Sequence, residues 1–534
     1  MQLRGRVINV ATSAIFLSAC GELNDPREDV QVAEGALNQT FAQHQAACQA
    51  DPRVQSGVVS LTECVGADIF FRENFNGNGR TCGSCHRVER NFTVDAAFIA
   101  RLPSSDPLFI AENQSDNLPL DGLEIPAQMR ARGLILENLD GTAPEGPTVR
   151  FVLRAVPHNL SMSTSITRPP GSTNPPADRT GWSGDGAPGQ GRLADFTNGA
   201  INQHFTRSLN RVPGTDFRVA TEDEGQAVAT FMRQLGRLND LDLNNLTFSD
   251  AGAEVGRQRF LVVGCNGCHG NASANIGGSN FNFFTNVESV RNAGLAGFPS
   301  DGGFLGFPGQ APPNPIGDGT FNTPPLIEAA DTGPFFHTDT QVINAPAENT
   351  TSAQTIEQAV AFYGSQAFNL GINADDIANI ARFLRSINAI FNIQMASNRI
   401  IGARNMGNVL GNVARVARMQ RRLAQMTLFE LDDAVRVLSG VSNLNVAQAD
   451  RVRTARTRIE TVVATTGTST TAFNTRMTNL ANAFNDLDLA DGEISGNVTF
   501  NIGNATRIDC ADPSTDGQPG TAPCFDPALR TAAP

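Results

Sequence analysis

Two short segments constrain this chain more than anything else in it: Cys82-Gly83-Ser84-Cys85-His86 and Cys265-Asn266-Gly267-Cys268-His269. Both read C-x-x-C-H. Two thiols three positions apart on one helical turn reach the two vinyl groups of a single haem, and the next histidine lies under the iron as proximal ligand. A thioredoxin-like redox pair or half of a zinc site uses the same cysteine spacing. Neither needs the histidine, and no further cysteine pair completes a zinc tetrad. With nine cysteines and six histidines in 534 residues, about 0.002 matches are expected by chance. The pattern implies two covalently bound haems, one in each of two small helical domains of the cytochrome c type. The expected fold class is mainly α, with long loops. Cys82, Cys85, Cys265 and Cys268 are the expected attachment points, and His86 and His269 the proximal ligands.

The other five cysteines bear on the compartment. Arg4 and Arg6 precede a short apolar stretch, Val7 to Leu17, and Leu17-Ser18-Ala19-Cys20 follows. Residues 1–20 read as a targeting segment. The small residues before Cys20 resemble the lipobox of bacterial lipoproteins, which makes Cys20 the expected site of lipidation. A plain secretory signal with an incidental cysteine is the alternative. Gly21 stands where an aspartate would give the usual inner-membrane retention signal, so the expected location is the periplasm, lipid-anchored at the outer membrane. Cys48 with Cys64 and Cys510 with Cys524 form two near-neighbour pairs, expected as disulfides in an oxidising compartment. No apolar run is long enough to span a bilayer. A formal net charge of −13 argues against a nucleic-acid partner.

Residues 21–65 are polar and read as a tether with one short helix, His44 included. Two haem domains are expected at 66–239 and 240–395, a helical extension at 396–500, and a loose tail at 501–534 clipped by Cys510 and Cys524. Thr164 to Gln190 and Gly294 to Thr323 are irregular stretches rich in Gly and Pro, the composition of functional or disordered loops. Val228, Phe231, Met232 and Leu235 share a helical face over Asp223 to Leu238. Ile377, Ile380, Phe383, Leu384 and Ile387 follow an N-cap at Asn373. In the extension one amphipathic helix is expected through Met406, Val409, Val413, Val416 and Leu423, with others at Phe429 to Leu438 and Val446 to Val463. The extension has no cysteine or histidine and reads as structural.

From about residue 66 to 393 the chain resembles the dihaem bacterial cytochrome c peroxidase superfamily, which includes the enzyme that matures the tryptophan-derived quinone of methylamine dehydrogenase. Thr332-Gly333-Pro334-Phe335-Phe336-His337 is similar to the family's T-x-P-Y-x-H segment. Ile356-Glu-Gln-Ala-Val-Ala-Phe-Tyr363 is similar to the helix that carries the sixth ligand of the second haem. The resemblance puts that ligand on Tyr363, the only tyrosine, with His337 as the rival and a merely packed tyrosine as the bland alternative. A phenolate would stabilise oxidised iron. Arg154-Ala155-Val156-Pro157 resembles the family's R-N-x-P turn. Thr332 and Pro334 match positions of an interdomain calcium site, but Ala155 replaces its asparagine, so the calcium expectation is incomplete. Trp182, in Gly181-Trp182-Ser183-Gly184-Asp185-Gly186, is similar to the family's W-D-G segment, whose indole relays electrons between the haems.

The resemblance departs after Trp182. The peroxidases carry a Gln and a Glu over the first haem; here Phe196 takes the Gln position and the Glu position falls near Thr206. Trp followed by Phe looks like the rubber oxygenase branch, which cleaves polyisoprene with dioxygen. His204 is a candidate substitute acid–base group or a surface histidine, and His158 is equally open. The resemblance implies peroxide reduction at the first haem, with electrons relayed by the second from a small periplasmic donor such as a cytochrome c or a copper protein. The acidic balance suits a basic donor. A dioxygenase acting on an apolar organic substrate and a non-enzymatic dihaem electron carrier are the alternatives.

Overall fold

Three of the helices in this chain begin where Ser, Thr or Asn stands three residues ahead of an acid. Ser60 and Glu63, Thr221 and Glu224, and Asn373 and Asp376 each close a capping box, satisfying backbone N–H groups that have no partner inside the helix. The computed structural model describes residues 40–110, 126–138, 151–166, 178, 180, 192–208, 211–270, 284–285, 321–322, 324–335, 337–338, 353–367, 370–440, 444–512 and 524–530. They are mainly helical.

The main helices are α1 (Phe41–Gln49), α2 (Leu61–Arg72), α3 (Leu193–His204), α4 (Glu222–Arg233), α5 (Ala251–Val262), α6 (Ile356–Ala361), α7 (Ala374–Leu410), α8 (Ala414–Ser439), α9 (Val446–Ala464) and α10 (Thr470–Ile494). The strands β1 (Leu134–Asn138), β2 (Phe151–Ala155) and a two-residue strand His337–Thr338 form one small antiparallel sheet, with Arg154 opposite His337.

One arrangement occurs twice. α2 leads to the first C-x-x-C-H segment and packs on α4; α5 leads to the second and packs on α7. Each pair meets at a glycine. A Cβ on Gly66 would overlap the Ala227 carbonyl oxygen, and a Cβ on Gly256 the Asn379 carbonyl oxygen. Four residues further along, a buried phenylalanine fills the crossing. Phe70 lies 5.3 Å from Phe231, and Phe260 lies 5.6 Å from Phe383, between ring centroids. Such tilted pairs each add about 0.5–1.5 kcal/mol to the burial of their rings.

Helices α7 to α10 close a four-helix bundle, in which α7 touches α8, α8 touches α9, α9 touches α10, and α10 returns to α7. The expected boundary at residue 395 falls inside α7, which runs unbroken for 37 residues. Ile393, Met395, Ala396 and Ile400 on either side of that point are all buried, and nothing between them breaks a helix. The single amphipathic helix expected through Met406 and Leu423 is instead two. Gly411, at φ 73°, ends α7, a conformation that favours glycine. Val409 and Val413, placed on the apolar stripe from sequence, are exposed.

Two further expectations are corrected. From Thr40 onward the region read as a tether is folded, with several side chains in the core. His44 and Cys48 are fully buried, and Arg53, also fully buried, binds Asp51 and reaches Asp509 at 2.9 Å. The tail is not loose over its described part: Ala505, Ile508, Cys510 and Ala511 belong to the main apolar core. Disulfides join Cys48 to Cys64 and Cys510 to Cys524.

Candidate functional site

Both C-x-x-C-H segments fold into the same 3-10 turn, Cys82–Ser84 and Cys265–Gly267. In each, the histidine N–H donates to the carbonyl of the first cysteine, at 3.0 Å for His86 and 2.9 Å for His269. In each, the imidazole Nδ1 meets a backbone carbonyl: Phe92 O at 2.9 Å for His86, and Pro324 O at 3.1 Å for His269. A carbonyl can only accept, so Nδ1 carries the proton in each ring; the Pro157 carbonyl is a second acceptor facing the His86 ring. Burial holds both rings neutral, His86 below its ordinary value and His269 down to about 4. A neutral imidazole pinned at Nδ1 is the form that binds a metal through Nε2.

The four motif cysteines stay outside both disulfides. Burial, with a smaller push from Cys85, drives the Cys82 thiol up to about 12, and burial drives Cys265 up to about 11. A disulfide oxidoreductase works through a cysteine of lowered pKa, and Cys82 and Cys265 are shifted the other way. Among the described residues the one group of three ligand-type side chains within coordinating distance is Asp509, Cys510 and Cys524, and its sulfurs are bonded to each other.

The first segment sits between two apolar clusters. Cys82 packs on the main core, Cys85 on a smaller cluster of Val94, Phe98, Ile99, Leu108, Val156 and others. The Phe70 ring lies 5.8 Å from that of His86, and a Cβ on Gly83 would meet Phe71 Cδ1 at 2.6 Å. The Phe92 carbonyl is aimed by two consecutive left-handed residues, Asn91 at φ 52° and Phe92 at φ 57°. That conformation costs of order 1–3 kcal/mol per residue and collects at functional sites. Asn91 is held by Asp433 of α8, at 2.7 Å.

Two more histidines, His204 and His158, are buried enough to stay neutral. Burial, then Arg80, Arg211 and His86, push His204 down to about 3; burial, then Arg237 and His86, push His158 to about 3. His204 is half-buried at the end of α3 and is not on an open helix surface. His158 Nδ1 accepts from Leu160 N at 3.2 Å, and its Nε2 lies 4.0 Å from Glu328. Phe196, also on α3, is partly buried against the main core. Thr206 is buried and its hydroxyl donates to Ser208 O at 2.6 Å. Sequence reasoning missed Phe92, Pro324 and the two glycine crossings. The repeated G-x-x-x-F ahead of each motif, Gly66 to Phe70 and Gly256 to Phe260, was the available signal.

The second segment is more open. Gly264 and Gly267 are exposed, where Thr81 and Ser84 of the first are buried. Tyr363 is partly buried just past α6, its ring 5.4 Å from Phe362. His337 lies on the small sheet opposite Arg154. Thr332 spends its hydroxyl on Glu328 O, at 2.8 Å, and Ala155 sits in β2 rather than in a turn. Cys20 and the targeting segment, Trp182 and most of both Gly/Pro-rich stretches lie outside the described residues. The residues present fit a covalently attached haem at each segment, with two thiols and one pinned neutral imidazole. Compared with protein-family models, curated proteins and solved structures, the chain matches none.

Proposed function

We propose that this chain is an exported dihaem c-type oxidoreductase that reduces peroxide at the Cys82/Cys85/His86 site with electrons relayed from the Cys265/Cys268/His269 site. The observation that carries the reading is the repeated unit: a glycine-crossed helix pair, a C-x-x-C-H turn, and a histidine whose Nδ1 is fixed by a carbonyl. This repeat supports two domains of the cytochrome c type. Haem, when attached, supplies iron that binds the oxidant and exchanges electrons.

The chain's own residues would do the rest. His86 and His269 hold their metal side fixed. His204, held neutral by burial that pushes it down to about 3, can accept a hydrogen bond from a bound molecule at an imidazole nitrogen. The burial of the first segment suits the reactive site, and the openness of the second suits electron entry from a small cytochrome c or copper protein. Trp182 remains the proposed relay and Tyr363 the proposed sixth ligand of the second site, with His337 as rival. Two disulfides support an oxidising compartment, in keeping with lipidation at Cys20 and a periplasmic, outer-membrane location.

A second reading, a dioxygenase for an apolar organic substrate, is favoured by Phe196 among apolar neighbours and by the apolar cluster beside Cys85. Intact mass and the haemochrome spectrum of the mature protein test the proposal first, with two covalent haems per chain expected. Protein without haem would sink it. Peroxide consumption coupled to donor oxidation is then expected. Dioxygen uptake with an apolar polyene and no peroxide turnover would favour the dioxygenase. Only six-coordinate low-spin iron by electron paramagnetic resonance, with no carbon monoxide binding after reduction, would leave an electron carrier.

A further inference from the structure

The last described residues of the chain return to the first motif. Asp526 N donates to Glu89 Oε1 at 2.6 Å, and Arg101 donates to the Leu529 carbonyl. Glu89 and Arg101 bracket Val94 and Phe98, and Phe92, the residue that holds His86, lies between them. Leu529 is buried in the same small cluster on which Cys85 packs. On its other side the segment is pinned to the bundle. The Phe525 ring stands edge-on to Phe429 at 5.5 Å, and Arg530 binds Asp432 of α8 and Glu460 of α9. The Cys510–Cys524 disulfide ties the start of the segment to a buried point, where Arg422 donates to Cys510 Sγ at 3.1 Å.

A terminal segment with this many anchors does more than fill space. Leu529 is buried among Val94, Phe98, Ile99, Leu108 and Val156, the cluster against which Cys85 packs. We infer that residues 524–530 are a wall of the first site, and that Leu529 is a specificity-determining residue that limits the size of a molecule reaching it. The inference rests on the first segment being a haem site. The disulfide keeps the wall in place.

The test uses the mature full-length protein and its Leu529→Ala variant, with carbon monoxide and tert-butyl isocyanide as small and bulky probes of the reduced protein. Leu529→Ala should raise the isocyanide association rate at the first site about tenfold, the order that a few missing methyl groups are worth in an apolar pocket. The carbon monoxide rate should change by less than about twofold, and the second site serves as internal control. Equal changes for both probes, or none, would overturn the inference, because a general loosening gives no size discrimination. Amide hydrogen exchange over residues 88–102 is the second readout. It should rise in Leu529→Ala and in the Cys510→Ser/Cys524→Ser double variant, with or without haem attached. Protein lacking haem but showing that rise would refute the functional reading and retain the wall; unchanged exchange would refute the wall. Leu529→Ala keeps the disulfide, so a folding defect in the double variant leaves the first arm decisive.

Discussion

His44→Gln removes a buried proton-binding group from the contact between α1 and α2. His44 Nδ1 lies 2.7 Å from Asp68 Oδ2, and Nε2 lies 3.5 Å from Glu73 Oε2. Arg72 at 3.3 Å and Ala511 N at 3.0 Å also face Asp68, and Arg218 faces Glu73 at 3.2 Å. Burial alone would lower the imidazole. Hydrogen bonds and attraction from the two carboxylates more than offset it, raising the group from 6.5 to about 9. A folded-state pKa above the unfolded one means that the stabilisation is complete below about pH 6.5 and is lost as pH rises through about 9. The span from 6.5 to about 9, at 1.36 kcal/mol per unit, gives about 3 kcal/mol. Urea unfolding of wild type and His44→Gln, followed by circular dichroism from about pH 6 to about pH 10, isolates it. The stability advantage of wild type should shrink by about 3 kcal/mol across that range. Parallel profiles would show that His44 is neutral in the folded protein and that the carboxylates do not hold its proton.

Gly66→Ala and Gly256→Ala should each cost about 1–3 kcal/mol, because each methyl meets a backbone oxygen with nowhere to move; thermal unfolding reads the loss. Asp331 is raised to about 7 by burial and by Asp433, against Asn388, Asn392 and Arg90. Its penalty is absent below the ordinary carboxylate value and complete above about 7, so Asp331→Asn should gain stability relative to wild type as pH rises through that window, read from urea midpoints. Cys265→Ala with Cys268→Ala should leave one covalent haem per chain by intact mass; two would place the second attachment elsewhere.

The motifs were legible because their chemistry is local: five adjacent residues carry both thiols and the imidazole. Asn373 and the stripe from Ile380 to Ile387 were legible for the same reason, since a cap and a 3.6-residue period are short-range signals. The glycine crossings were not. A lone glycine in a helix reads as a tolerated cost until the partner backbone is seen against it. His44 and Arg53 were misplaced because the segment around them is polar, and polar composition suggests solvent. Their partners complete a buried charge network, and Asp509 is a partner that no local window contains. The tail was read as loose on the same ground. Gly411 was visible, but the apolar residues on both sides matched one helical period too well to suggest a break.

Arg53 joins segments 456 residues apart: it is fully buried and binds Asp51, Asp509 and the Cys510 carbonyl. Contacts this distant in sequence form late, because the whole intervening chain must be gathered first. The core around Arg53 is therefore complete only when residues 509–510 have joined residues 51–53. Until that clasp shuts, the α2 end of the fold stays unfinished.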